Sequence, residues 1–92
     1  MTAHSDTRPA IRSGFRLQWE PVQNAYVMLY PEGMITLNTS AAEILRRCDG
    51  SRTVAEIVTE LEVAFQRTEL GKDVFAFIEG AVRQGWVQMG PP

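Results

Sequence analysis

Cysteine and histidine are almost absent from this 92-residue chain, which has one of each, Cys48 and His4. A single cysteine excludes an intramolecular disulfide, whereas a secreted domain of this size usually carries several. One Cys and one His cannot supply the four ligands of a structural zinc, so no metal is expected. With His4 as the only imidazole, there is no Ser-His-Asp or Cys-His constellation. Gly80 and Gly85 do not make a phosphate-cradling loop. No cofactor and no enzymatic activity are therefore expected. Basic residues are not in excess either: nine Lys and Arg face eleven Asp and Glu, for a net charge of −2. That balance argues against nonspecific nucleic-acid binding, which draws its affinity from phosphate neutralisation. The longest apolar run, Ala25–Tyr30, falls far short of the roughly 18 residues that suggest a membrane span, so no membrane partner is expected. Met1–Ala10 is polar with no apolar h-region, which predicts no signal peptide and a cytoplasmic protein.

What is present reads as one small α+β domain. Residues 1–12 resemble a flexible N-terminal arm, 13–88 the folded domain and 89–92 a C-terminal tail. Phe15, Leu17 and Trp19 alternate with Arg16, Gln18 and Glu20, the period of a half-buried strand. Tyr26–Tyr30 forms a second strand, and Pro31-Glu32-Gly33 a tight connection to a third over Met34–Leu37. Ile35 and Leu37 fall on the core face of that third strand. Short links imply an antiparallel meander. Ser40-Ala-Ala-Glu43 and Thr53-Val-Ala-Glu56 both read as capping boxes that open helices, with Gly50 stopping the first. Val54, Ile57, Val58, Leu61 and Phe65 make one apolar stripe, with Glu56, Glu60 and Glu62 on a solvated face. A third helix runs from Lys72 to Gln84 and stops at Gly85. Its apolar positions spread over roughly 160°, more than the ~100° that packing on one core requires. Cys48 reads as a small buried hydrophobe and Asp49 as a turn residue.

Linked blocks then become specific: Tyr30-Pro31-Glu32-Gly33, Leu37-Asn38, Ser40-Ala41-Ala42, Ile44-Leu45, Cys48-Asp49-Gly50, Arg52 through Val58, Glu60-Leu61, Asp73-Val74, Phe77 and Gly85-Trp86-Val87. Over residues 9–88 the chain resembles the PqqD family of pyrroloquinoline quinone biosynthesis. The resemblance implies a winged helix-turn-helix-like fold, a three-stranded antiparallel sheet followed by three helices, also called a RiPP recognition element. It implies a peptide chaperone that binds the ribosomal precursor peptide, PqqA, and presents it to a radical SAM enzyme, PqqE, which cross-links a Glu and a Tyr. In such modules the peptide adds as a strand to the third strand, against the third helix. Carried onto this chain, the peptide-binding residues are Met34, Ile35, Thr36 and Leu37 on the strand, and Val74, Phe75, Ile78, Ala81 and Val82 on the helix. The sequence does not divide these between peptide and core. Lys72 and Arg83 are either partners for acidic peptide side chains or solvated charges, since exposed ion pairs contribute only ~0–1 kcal/mol.

Two other readings share the same elements. In a winged-helix DNA-binding protein the third helix would be a recognition helix, presenting Lys72, Asp73, Glu79, Arg83 and Gln84; salt-dependent DNA binding would mark it. A homodimer pairing through the third strand when peptide is absent would show concentration-dependent sedimentation, and peptide would compete with it.

Overall fold

The computed structural model describes residues 4–91. The chain runs β1 (Arg8–Ile11), β2 (Arg16–Glu20), β3 (Ala25–Tyr30), β4 (Gly33–Thr36), α1 (Thr39–Arg46), α2 (Val54–Phe65), α3 (Gly71–Arg83) and β5 (Val87–Gly90). The meander is an antiparallel sheet in the order β2-β3-β4. Its register pairs Leu17 with Met28 and Met28 with Ile35. One face of this sheet packs on the helices. Phe15, Leu17, Tyr26, Met28, Ile35 and Leu37 join Ala42, Ile44, Leu45, Ile57, Leu61, Ile78 and Val87 in one core. The period-two alternation of the strands and the apolar stripes of the helices converge there.

The ends of the chain differ from the sequence reading. Part of the 1–12 arm is β1, and part of the 89–92 tail is β5. The two pair antiparallel in a second sheet, with Pro9 opposite Met89 and Ile11 opposite Val87. Pro9 and Met89 are buried. The α1–α2 linker closes over the other side of β1: Ile11 N–H donates to the Cys48 carbonyl at 2.9 Å, and Gly50 N–H to the Pro9 carbonyl at 3.0 Å. A proline is tolerated in so narrow a sheet because its missing donor need not break an interior ladder. Of the four residues in β1 only Ile11 favours a strand, and one β-branched residue after Arg8, Pro9 and Ala10 makes no local strand signal. Their pairing comes from the opposite end of the chain.

Helix boundaries depart in two places. Asn38, not Ser40, caps α1, its side-chain oxygen accepting the Ala41 N–H at 2.8 Å. Ser40 lies one residue inside the helix, where its hydroxyl is past the capping position. The helix also ends at Arg46, four residues before Gly50, which takes φ +85° in the linker. The second capping box forms as read: Thr53 Oγ1 accepts from Glu56 N–H at 3.1 Å, and Glu56 Oε1 from Thr53 N–H at 2.8 Å. α2 stops at Gln66, which adopts the left-handed conformation at φ 54°.

The acids read as a solvated face have partners. Glu60 accepts from Arg47 Nε at 3.1 Å and from Arg52 Nε at 2.8 Å, tying α1 and the linker to α2. Arg47 also donates to Glu43 at 2.9 Å, and Arg46 lies over the Tyr26 ring, 5.4 Å from its centroid. Glu62 accepts the Leu70 N–H at 3.1 Å, bracing the turn into α3. Asp49 serves its turn, accepting both the N–H and hydroxyl of Ser51.

Candidate functional site

Among the described residues β4 pairs only with β3 and forms one outer edge of the three-stranded sheet. Which of its main-chain groups face outward follows from one bond. Leu37 N–H donates to the Tyr26 carbonyl at 2.9 Å, just past the last residue of the strand. Main-chain direction alternates along an antiparallel ladder, so Leu37, Ile35 and Gly33 turn inward to β3. Met34 and Thr36 turn their N–H and C=O groups outward, to the open edge. Side chains alternate at right angles to this. Met34 and Thr36 stand on the face away from the helices and are exposed, Met34 at 51%. Ile35 is half-buried on the helix-facing side. Leu37 retains only 7% exposure and is mainly core.

The helical half of the predicted groove divides in the same way. Val74, Ile78 and Ala81 are buried among core residues, whereas Phe75 and Val82 pack against that core and remain half-exposed. At roughly 100° per residue, Ala81, Val74 and Ile78 make the buried stripe, and Phe75 and Val82 share the flank beyond Ile78. Lys72, Glu79 and Arg83 border that flank, and Phe77 lies on the opposite one. The wide apolar arc thus contains a core stripe and two partly exposed margins. Of the nine predicted residues, Ile35, Phe75 and Val82 combine apolar side chains with open surface on the core side. Met34 and Thr36 contribute free main-chain groups.

A concavity of about 310 Å³ opens between the three helices, lined by Ser40, Ile44, Leu61, Phe65, Arg67, Leu70, Asp73 and Val74. Arg67 and Leu70, from the linker between α2 and α3, help form this hollow. The signal available was Leu70, the lone apolar residue in a polar linker.

Cys48 is buried, and desolvation pushes its thiol up to about 12, so it stays protonated. Among the described residues no group of three or more His, Cys, Asp or Glu side chains is placed to hold a metal ion. No helix among them is long and apolar enough to cross a membrane. The arrangement provides a strand with one open edge and apolar surface at Ile35.

Comparison with known proteins agrees with the resemblance in the sequence. The family model for coenzyme PQQ synthesis protein D (PqqD) matches residues 25–87. A PqqA binding protein of Stutzerimonas stutzeri is 50% identical over 82 residues, covering 88% of this chain and 89% of that one. One from Pseudomonas aeruginosa is 47% identical over 85 residues, covering 91% and 92%. The solution structure of the PqqD truncation of Methylobacterium extorquens PqqCD, a functional stand-alone RiPP recognition element, superposes with a TM-score of 0.76 at 26% identity. That match covers 96% of this chain and 95% of the other.

Proposed function

The chain belongs to the PqqD family, and from that premise we propose that it is a cytoplasmic peptide chaperone. It binds the precursor peptide PqqA as a fourth strand on β4 and presents it to the radical SAM enzyme PqqE for Glu–Tyr cross-linking. The observation that carries this reading is the free edge of β4, with the outward main chain of Met34 and Thr36 and apolar surface at Ile35.

An extended peptide laid along β4 donates N–H groups to the Met34 and Thr36 carbonyls and accepts their N–H groups in return. These bonds are blind to sequence. Selectivity comes from peptide side chains on the helix-facing side, where Ile35, Phe75 and Val82 offer apolar surface. Lys72 and Arg83 favour acidic residues at the margin of α3. Exposed ion pairs contribute only ~0–1 kcal/mol, so they bias register more than affinity. The chain needs no catalytic residue for this, because it holds the peptide extended while the enzyme performs the chemistry. Ordering a flexible peptide offsets part of the gain, which sets the affinity at about 0.1–10 μM. That range permits hand-over.

Reconstitution with PqqA and PqqE tests the reading. Cross-linked peptide should form with the intact chain and, at peptide and chaperone concentrations near the dissociation constant, fall when Thr36 is replaced by proline. Equal cross-linking with and without the chain would refute the presenting role.

A further inference from the structure

The hollow between the three helices lies off the end of the β4 edge. Ser40 is four residues beyond Thr36, so the reach of an extended chain bounds their separation at about 14 Å. On α1, Thr39, Ala42 and Glu43 border a different concavity, shared with Trp19 and Tyr26 towards the β2 side of the sheet. At roughly 100° per residue, Ser40 and Ile44 turn away from that side and open the hollow towards β4. Ile44, Leu61 and Val74 are buried and make its floor. Phe65 forms one wall with 37% of its surface open, and half-buried Leu70 forms another. Ser40, Arg67 and Asp73 stand exposed at the mouth. The wall contributed by the α2–α3 linker is tied to α2. The Glu62 carboxylate accepts the Leu70 N–H at 3.1 Å, and the Glu62 carbonyl accepts the Arg67 N–H at 3.0 Å.

Given strand addition at β4, on which this inference rests, we propose that the hollow is a second anchor for the precursor peptide. It takes one bulky apolar side chain that has an acidic residue beside it. Reach favours the peptide as occupant: a chain already paired along β4 needs only about four more extended residues to arrive at the mouth. Size agrees. A volume of about 310 Å³ is at the lower limit of small-ligand pockets, enough for one leucine- or phenylalanine-sized side chain and too little for a helix face. Charge at the mouth selects the neighbour. Neither Arg67 nor Asp73 takes part in a salt bridge among the described residues. Asp73 lies in the first turn of α3, where the free N–H groups of the helix start offset its charge. Arg67 has no such compensation and favours a carboxylate. The anchor is distinct from the Phe75–Val82 margin, which lies on the other flank of α3. Its consequence is register. Main-chain bonds to Met34 and Thr36 allow a peptide to slip along β4 two residues at a time, whereas a side chain seated at a fixed distance selects one position.

Titration of the intact chain, labelled at Ile, Leu and Val methyls and at backbone amides, with PqqA tests the anchor. The methyls of Ile44, Leu61, Leu70 and Val74 should shift saturably, with the same dissociation constant as the Met34–Leu37 amides. Ser40→Trp fills the mouth from an exposed position and should weaken binding on the order of tenfold, the value of about one buried apolar side chain. Its β4 amides should still shift, at higher peptide concentration. Arg67→Glu should weaken binding up to about fivefold, and Arg67→Lys should retain most of the affinity. Circular dichroism checks the fold of each variant, and the methyl shifts of the intact chain decide the matter if Ser40→Trp does not fold. Hollow methyls that stay still while the β4 amides saturate would overturn the anchor and leave strand addition standing. So would Ser40→Trp and Arg67→Glu chains that bind PqqA as tightly as the intact one. Hollow methyls that move only when PqqE is added would assign the hollow to the enzyme and overturn the proposal. An absence of saturable shifts anywhere would refute strand addition itself, and the anchor with it.

Discussion

The Leu37 N–H donates to the Tyr26 carbonyl at 2.9 Å, and this one bond fixes the direction of every main-chain group on the outer strand. Met34 and Thr36 face outward; Gly33, Ile35 and Leu37 face β3. Proline therefore has opposite effects at neighbouring positions. Thr36→Pro removes only an outward donor, so the fold should persist while peptide affinity falls roughly tenfold, the value of about one hydrogen bond. Ile35→Pro removes an inward ladder bond and should destabilise the sheet. Calorimetric titration with PqqA, paired with thermal melts, separates the two.

The division of α3 into core stripe and margin predicts a second contrast. Ile78 is fully buried, so Ile78→Ala should cost about 2–5 kcal/mol of stability. Phe75→Ala and Val82→Ala should cost less stability and weaken peptide binding. Denaturant melts set against peptide titrations check this; equal stability losses at all three positions would contradict it.

Helix capping gives a third test. Thr53→Ala should cost about 1 kcal/mol, because it removes one half of the reciprocal bonding with Glu56. Asn38→Ala should cost a similar amount at α1. Ser40→Ala, at a position that caps nothing, should stay within ~0.5 kcal/mol. Chemical denaturation of the three variants ranks them.

Two titrations shape stability against pH. Arg47 hydrogen-bonds Glu43 and holds its carboxyl below the ordinary 4.5. A lowered carboxylate stabilises the fold above its unfolded value and loses that contribution as pH falls through the folded one, so stability should decline below about pH 4.5. Cys48 runs the other way. Burial raises its thiol from 9.0 to about 12, so its contribution is whole below pH 9 and is lost as pH rises toward 12. Cys48→Ala should flatten that alkaline limb, read as the slope of unfolding free energy against pH.

Local patterns made much of this fold legible. Alternation located β2 to β4, helical spacing located α2 and α3, and the Thr53–Glu56 box placed the start of α2 correctly. What escaped was settled by distant contacts. β1 exists because β5 lies beside it, and nothing in Arg8-Pro9-Ala10-Ile11 announces a partner some eighty residues away. The first cap was misplaced because Asn38 and Ser40 are both capping types two residues apart, and only the backbone direction after β4 chooses between them. In the candidate site, the outward groups of Met34 and Thr36 depended on a hydrogen-bond phase that side-chain alternation does not give. The apolar arc of α3 was visible, but its partition into buried Val74, Ile78 and Ala81 and half-open Phe75 and Val82 required the neighbouring elements.

The most direct measurement is a titration of ¹⁵N-labelled protein with PqqA, following backbone amides. Strand addition at β4 predicts saturable shifts centred on Met34–Leu37, with accompanying shifts at Phe75 and Val82. Saturable shifts that spare these residues and gather elsewhere, or no shifts at all, would contradict it.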